Sequence, residues 1–104
     1  MTMMYNTNEI KNIISKLKIP EYTYEIYLVG SYARGEAKEN SDLDFLVINH
    51  GAVGWDNYLL GGIFEDVFNK QVDIILKEDL KNNKYLKYNI LKDRIKIYDK
   101  RKSV

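Results

Sequence analysis

Two aspartates one residue apart, Asp42 and Asp44, open the apolar run Phe45-Leu46-Val47-Ile48, and a Gly-Ser pair, Gly30-Ser31, closes another, Ile26-Tyr27-Leu28-Val29. This pattern leaves few folds open. Short apolar runs bounded by glycine and polar residues read as strands, and a strand that is apolar on both faces belongs in the middle of a sheet. Side chains two apart on a strand share a face and lie about 6.5 Å apart along the chain. Asp42 and Asp44 therefore face one way, and without a counter-charge their repulsion weakens the strand that carries them.

The intervals between strands carry helical spacing. Ile10, Ile13, Ile14 and Leu17 predict a helix over residues 6–18, capped by Asn6 or Thr7 and ended by Pro20. Glu25–Val29 is the first expected strand, residues 31–36 the first turns of a helix, residues 38–41 a polar loop and Asp42–Ile48 the central strand. After a loop over residues 49–54, Leu60, Ile63, Phe64, Val67 and Phe68 predict a helix over about 56–69. Gly61-Gly62 interrupts it at about 1 kcal/mol per glycine relative to alanine, so it starts either before or only after that pair. A third strand over Gln71–Lys77, a helix over 78–91, a last strand over Ile95–Tyr98 and a basic tail expected to fray complete the chain. Alternating helices and strands predict a small α/β sheet, with residues 1–104 as one domain.

Composition narrows the chemistry. With no cysteine, disulfides and thiolate catalysis are excluded and a metal must be held by oxygen or nitrogen, while a single histidine, His50, argues against imidazole-based zinc. A mean hydropathy of −0.42, no apolar run near the ~20 residues of a membrane span and no secretory pattern at the start lead to a cytoplasmic expectation without a membrane partner. Net charge is +1, yet from Lys77 onward ten basic residues face four acidic ones. A solvated helix face explains this; an acidic partner or polyanion is the alternative.

Carboxylates spaced like Asp42 and Asp44 converge on a pair of ions ~3.5–4 Å apart, the arrangement that clamps attacking and leaving oxygens in phosphoryl transfer. Asp73, inside the apolar run Val72-Asp73-Ile74-Ile75-Leu76, is either a third carboxylate of that site or an edge-strand charge. Three hard oxygen ligands call for magnesium or manganese, with the substrate's phosphates completing the shell. Gly30 allows the backbone to approach a phosphate, and the amides of the helix start favour the anion, with the Ser31 hydroxyl as a further donor. Arg34, one turn on, is a candidate for phosphate oxygens or leaving pyrophosphate, with Glu36 and Glu39 as competing partners.

Gly30-Ser31, ten intervening residues and Asp42-Leu43-Asp44 resemble the signature of the DNA polymerase beta-type nucleotidyltransferases. The wider string, with Ala33-Arg34-Gly35, Ala37 and Ser41 through Val47, is similar to the minimal nucleotidyltransferases of prokaryotes. Val72-Asp73-Ile74 resembles the family's third-carboxylate strand and Ile97-Tyr98 its last strand, while Gly61-Gly62 is unusual for it. The resemblance implies the nucleotidyltransferase fold, a small mixed sheet flanked by helices, here as a single minimal domain. It also implies transfer of AMP from ATP to a hydroxyl: Gly30 and Ser31 hold the triphosphate, Asp42 and Asp44 bind two magnesium ions, and Asp73 binds one and helps deprotonate the acceptor. Minimal members of this kind are commonly antitoxins that silence a HEPN ribonuclease toxin by attaching AMP to one of its tyrosines. Larger relatives such as the aminoglycoside nucleotidyltransferases carry an extra helical domain for the acceptor. Its lack here implies an acceptor presented by a partner, in a hetero-oligomer with the toxin.

Two other readings remain open. A binding module would neutralise its partner by contact alone, and nine tyrosines with Trp55 suit an interface. A small molecule or RNA is the other acceptor, although +1 overall is weak electrostatics for gripping a phosphate backbone. His50 reads as an exposed polar residue; Trp55, Phe64 and Phe68 as core. Tyr85 and Tyr88 read as helix packing, ahead of self-modification.

Overall fold

The structure, a computed structural model, describes residues 4–51 and 55–102, with side chains for all of these except residues 55–58 and 102. Its elements are α1 (Thr7–Ser15), β1 (Thr23–Val29), α2 (Gly30–Arg34), β2 (Leu43–Asn49), α3 (Trp55–Phe68), β3 (Val72–Leu76), α4 (Lys84–Asp93) and β4 (Ile95–Asp99), with 3-10 turns at Lys77–Leu80 and Lys100–Lys102. The strands form one mixed sheet in the order β3-β2-β1-β4. β1 is antiparallel to β2 and β4, and β2 is parallel to β3. The expected central place of β2 is what the sheet shows. Among the described residues no helix is long and apolar enough to cross a membrane.

One face of the sheet carries the larger core. Ile26 and Leu28 of β1, with Leu43, Phe45 and Val47 of β2, meet Ile10 and Ile14 of α1 and Leu60, Phe64 and Phe68 of α3. Phe45, Phe64 and Phe68 are fully buried and stack edge-on or tilted with centroids 5.0–6.1 Å apart; each such side chain contributes about 1.5–3 kcal/mol of burial. The opposite face carries a smaller cluster in which Tyr27, Val29 and Leu46 pack beneath Leu80 and Ile90. Period-two alternation along β2 assigns Asp44 to this second face, since Leu43, Phe45 and Val47 occupy the first.

Local chemistry sets the helix boundaries. Asn6 Oδ1 accepts from the Glu9 amide at 2.8 Å and the Asn6 amide donates to Glu9 Oε1 at 2.9 Å, a reciprocal cap that starts α1 at Thr7. The helix stops at Ser15, short of residue 18. α3 runs unbroken through Gly61 and Gly62, because a neighbouring strand and the phenylalanine core hold it; a β-carbon at Gly61 would meet Ile74 only at 3.5 Å. Val67, assigned to the buried stripe by its spacing, is 37% exposed.

The continuous helix expected over 78–91 is corrected to a 3-10 turn and a separate helix. Asn83 accepts from the Leu86 amide at 3.0 Å and so acts as the N-cap of α4 rather than as an interior residue. Tyr85 and Tyr88, expected to pack, are instead 81% and 65% exposed, because Ile90 alone of α4 is buried. The basic tail does not fray through Arg101: Asp99 accepts from Lys96 Nζ at 3.0 Å and from the Arg101 amide at 3.0 Å, while Lys100 Nζ donates to the Glu21 carbonyl at 2.6 Å.

Candidate active site

Register brings the distant sequence signals together. Val29 pairs with Asp44 across β1 and β2, and Asp44 pairs with Asp73 across β2 and β3. Adjacent strands lie about 4.8 Å apart, so Asp44 sits between the end of β1 and Asp73, and the two in-register carboxylates share a face. Asp73 is exposed on the edge strand; Asp42, one residue before β2, and Asp44 are half-buried.

Gly30 follows Val29 directly and has φ +74°, a left-handed conformation that other residues adopt at a cost. A β-carbon there would fall inside contact distance of the Asp44 carboxylate. Glycine at this position thus does two things: it turns the chain from β1 into α2, and it lets backbone lie directly against a carboxylate. The start of α2 differs from those of α1 and α4. Asn6 caps α1 and Asn83 caps α4, whereas Val29 precedes α2 and offers no side-chain acceptor. The first amides of that turn, including that of half-buried Ser31, are left without a side-chain cap.

Electrostatics follows from the placement. Burial first, then the Asp73 carboxylate beside and hydrogen-bonded to it, and then Asp42, push the Asp44 carboxyl up to about 6. Arg34 pulls weakly the other way. Its guanidinium is held by Glu36 Oε1 at 2.8 Å and by Asp93 Oδ2, at the end of α4, at 3.6 Å. Glu36 was visible as a competitor for Arg34 from its spacing. Asp93 was not, because nothing local couples residues so far apart; only the packing of α4 beside α2 does.

Carboxylate oxygens in register on one face, without a cation between them, are the donor chemistry of a hard divalent ion. As the side chains stand, Asp44 and Asp73 form the close pair, and no group of three histidine, cysteine or acidic side chains among the described residues is tight enough to hold an ion. Elsewhere, His50 is exposed and stacks on Tyr24 with centroids 3.8 Å apart, and Phe64 and Phe68 are core, all as their spacing suggested. The side chain of Trp55 lies outside the described residues.

A mixed sheet of this order, with the glycine turn and acidic pair at one end of a central strand, is the fold of a nucleotide-transferring domain. The nucleotidyltransferase domain family model matches residues 8–97, and the chain belongs to that family. It is 35% identical over 91 residues, spanning 86% of this chain and 90% of the relative, to a Methanocaldococcus jannaschii protein, MJ0435, provisionally named a protein adenylyltransferase. A solved minimal nucleotidyltransferase, itself provisionally so named, superposes with a TM-score of 0.69 at 28% identity, covering 88% of this chain and 95% of that one. A chain in the structure of a tri-AMPylated Shewanella oneidensis HEPN toxin in complex with MNT antitoxin has the same fold, with a TM-score of 0.65 at 17% identity over 91% of this chain and 74% of that one.

Proposed function

We propose that this nucleotidyltransferase moves AMP from ATP to a tyrosine hydroxyl of a HEPN-type toxin, acting as its antitoxin. The observation that carries the reading is the in-register pair Asp44–Asp73 beside Gly30, the kind of oxygen ligand set with which a phosphoryl-transfer site holds the cation that offsets charge on the phosphates. Support for a protein acceptor comes from the provisional name of the M. jannaschii relative, and for the toxin from the AMPylated complex whose chain shares the fold.

Asp42, Asp44 and Asp73 are the residues that would hold magnesium or manganese, with Asp42 turning toward the pair that is already formed. Bound there, the metal would supply positive charge against the phosphates and offset the repulsion between the carboxylates. The uncapped amides of Gly30 and Ser31, with the Ser31 hydroxyl, orient the triphosphate. The acceptor oxygen bonds to the α-phosphorus as the bond to the pyrophosphate oxygen breaks, and pyrophosphate leaves with that electron pair. The acceptor's proton passes to Asp73, the most open of the three carboxylates. Arg34 leaves Glu36 and Asp93 to meet the departing phosphates.

Incubation with α-labelled ATP, magnesium and the purified HEPN-type partner should place label on a partner tyrosine. Label on no protein at saturating magnesium would overturn the reading. A contact-only antitoxin is the second reading, favoured by the exposure of Tyr85 and Tyr88 on α4. It requires that Asp42→Ala with Asp44→Ala still neutralise the toxin.

A further inference from the structure

At the other end of the site-bearing face, β1, β2, the first 3-10 turn and α4 enclose a groove of about 350 Å³. Its floor is apolar: Tyr27, Leu46 and Leu80 are buried beneath it, and Ile48 and Leu91 leave apolar surface open to water. Its rim is cationic, with Lys77 and Lys81 on one side and Lys87 and Arg94 on the other. Lys77, Lys81 and Lys87 are exposed, and no carboxylate among the described residues pairs with them. Arg94 lies over the Tyr27 ring at 5.0 Å. The one acid in the lining, Glu25, is already engaged by the Tyr27 hydroxyl at 2.7 Å, by Lys96 at 3.1 Å and by Arg101 at 3.5 Å.

An open apolar floor ringed by cations without counter-charges fits one kind of ligand: an apolar group flanked by anions. We propose that this groove docks an acidic segment of the protein that accepts the nucleotide, seating one aliphatic or aromatic side chain against the open apolar surface of Ile48 and Leu91 while flanking carboxylates meet Lys77, Lys81 and Lys87. The inference rests on the protein-acceptor reading above and says how that acceptor is chosen. Position supports it. Ile48 is four residues beyond Asp44 on the same face, about 13 Å along the strand, so an extended segment held in the groove keeps residues about four positions away within reach of the carboxylates. Tyr88, one turn before Leu91 on α4, is 65% exposed and adds an aromatic of the kind enriched at interfaces. Single-stranded RNA fits the groove less well. The one aromatic in the lining, Tyr27, is 8% exposed and is approached by Arg94 and by Lys96 at 5.6 Å, which leaves no open ring for a base to stack on.

The test uses the full chain with Lys77→Glu, Lys81→Glu and Lys87→Glu together, and separately Leu91→Ser, with the purified acceptor protein as probe. In the transfer assay the triple variant should raise KM for the acceptor by at least about tenfold while kcat at saturating acceptor and ATP affinity hold. The Leu91→Ser change should raise it by a few fold, and by an amount insensitive to salt. Titration of the acceptor without nucleotide should show wild-type affinity falling with added salt and the triple variant's affinity lower and flatter. If wild type binds the acceptor but transfers nothing, the transfer reading fails while the titration still decides the groove. An unchanged acceptor affinity in both variants, a fall in kcat at constant KM, or displacement of bound acceptor by single-stranded RNA from wild type but not from the triple variant would each overturn the proposal.

Discussion

Asp44 and Asp99 are two carboxylates in the same four-stranded sheet, and they are treated in opposite ways. Asp99 ends β4 with its side chain only 5% exposed, between Lys96 and Arg101. Hydrogen bonds from Lys96 and then Arg101, against the penalty of burial, hold it down at about 2. Asp44 begins β2 among acids, with Asp73 and Asp42 for neighbours, and is pushed up to about 6. A carboxylate kept for structure is given cations; the one given more carboxylates is the one we propose takes its counter-charge from a bound ion. The cost is borne locally, and the cluster on β1 and β4 is the kind of paired network that offsets it elsewhere.

The largest effect expected from that contrast is on Asp44→Asn. Transfer should fall on the order of a thousandfold, while metal-free thermal stability at pH 8 should rise by about 1–2 kcal/mol, because an ionised group in an unfavourable field has been neutralised. A variant that lost activity and stability together would break the comparison. Gly30→Ala is next: left-handed strain of about 1–2 kcal/mol together with displacement of the Asp44 carboxylate should lower stability and reduce transfer by about ten- to a hundredfold. Magnesium should then raise the melting temperature of wild type, and much less that of Asp44→Asn, since the ion offsets a repulsion the variant no longer has.

The pH dependence has a definite sign for each residue. The folded state of the metal-free protein holds the Asp44 proton more tightly than the unfolded chain, so this residue costs nothing below about pH 4, and its cost grows as pH rises toward about 6 and is complete above that. Asp99 is the reverse: its stabilisation is present above about pH 4 and is lost as pH falls toward about 2. Asp99→Asn should therefore lower the melting temperature at neutral pH, remove that acid-limb dependence and leave transfer intact. This is the smallest of the expected effects, and acid titrations of wild type and variant followed by circular dichroism measure it.

Much of this was legible in the residues. The apolar runs placed all four strands, Gly30 and the two aspartates marked the end of the sheet where the proposed site lies, and Asn6 or Thr7 marked the start of α1. Asp73 was ambiguous for a physical reason: it is both an edge-strand charge and the neighbour of Asp44, and only pairing of β3 with β2 reveals the second role. Asn83 was hidden because an asparagine that caps a helix looks locally like one within it. Tyr85 and Tyr88 misled because aromatic spacing speaks of packing whether or not a partner surface exists. Arg34 with Asp93, and Arg101 with Glu25, depend on how α4 and β4 lie against elements far away in the chain, which no local pattern encodes.

The parallel pairing of β2 with β3 makes the phenylalanines of α3 an aiming device. Were β3 to slip by one residue, Asp73 would turn toward Phe45, Phe64 and Phe68 and Val72 would take its place beside Asp44. The greasy underside of the sheet therefore calibrates the distance between two charges on its upper side. Wear in that bearing, such as a Phe68→Ala cavity, should blunt the chemistry at substrate-binding distance before it unmakes the fold.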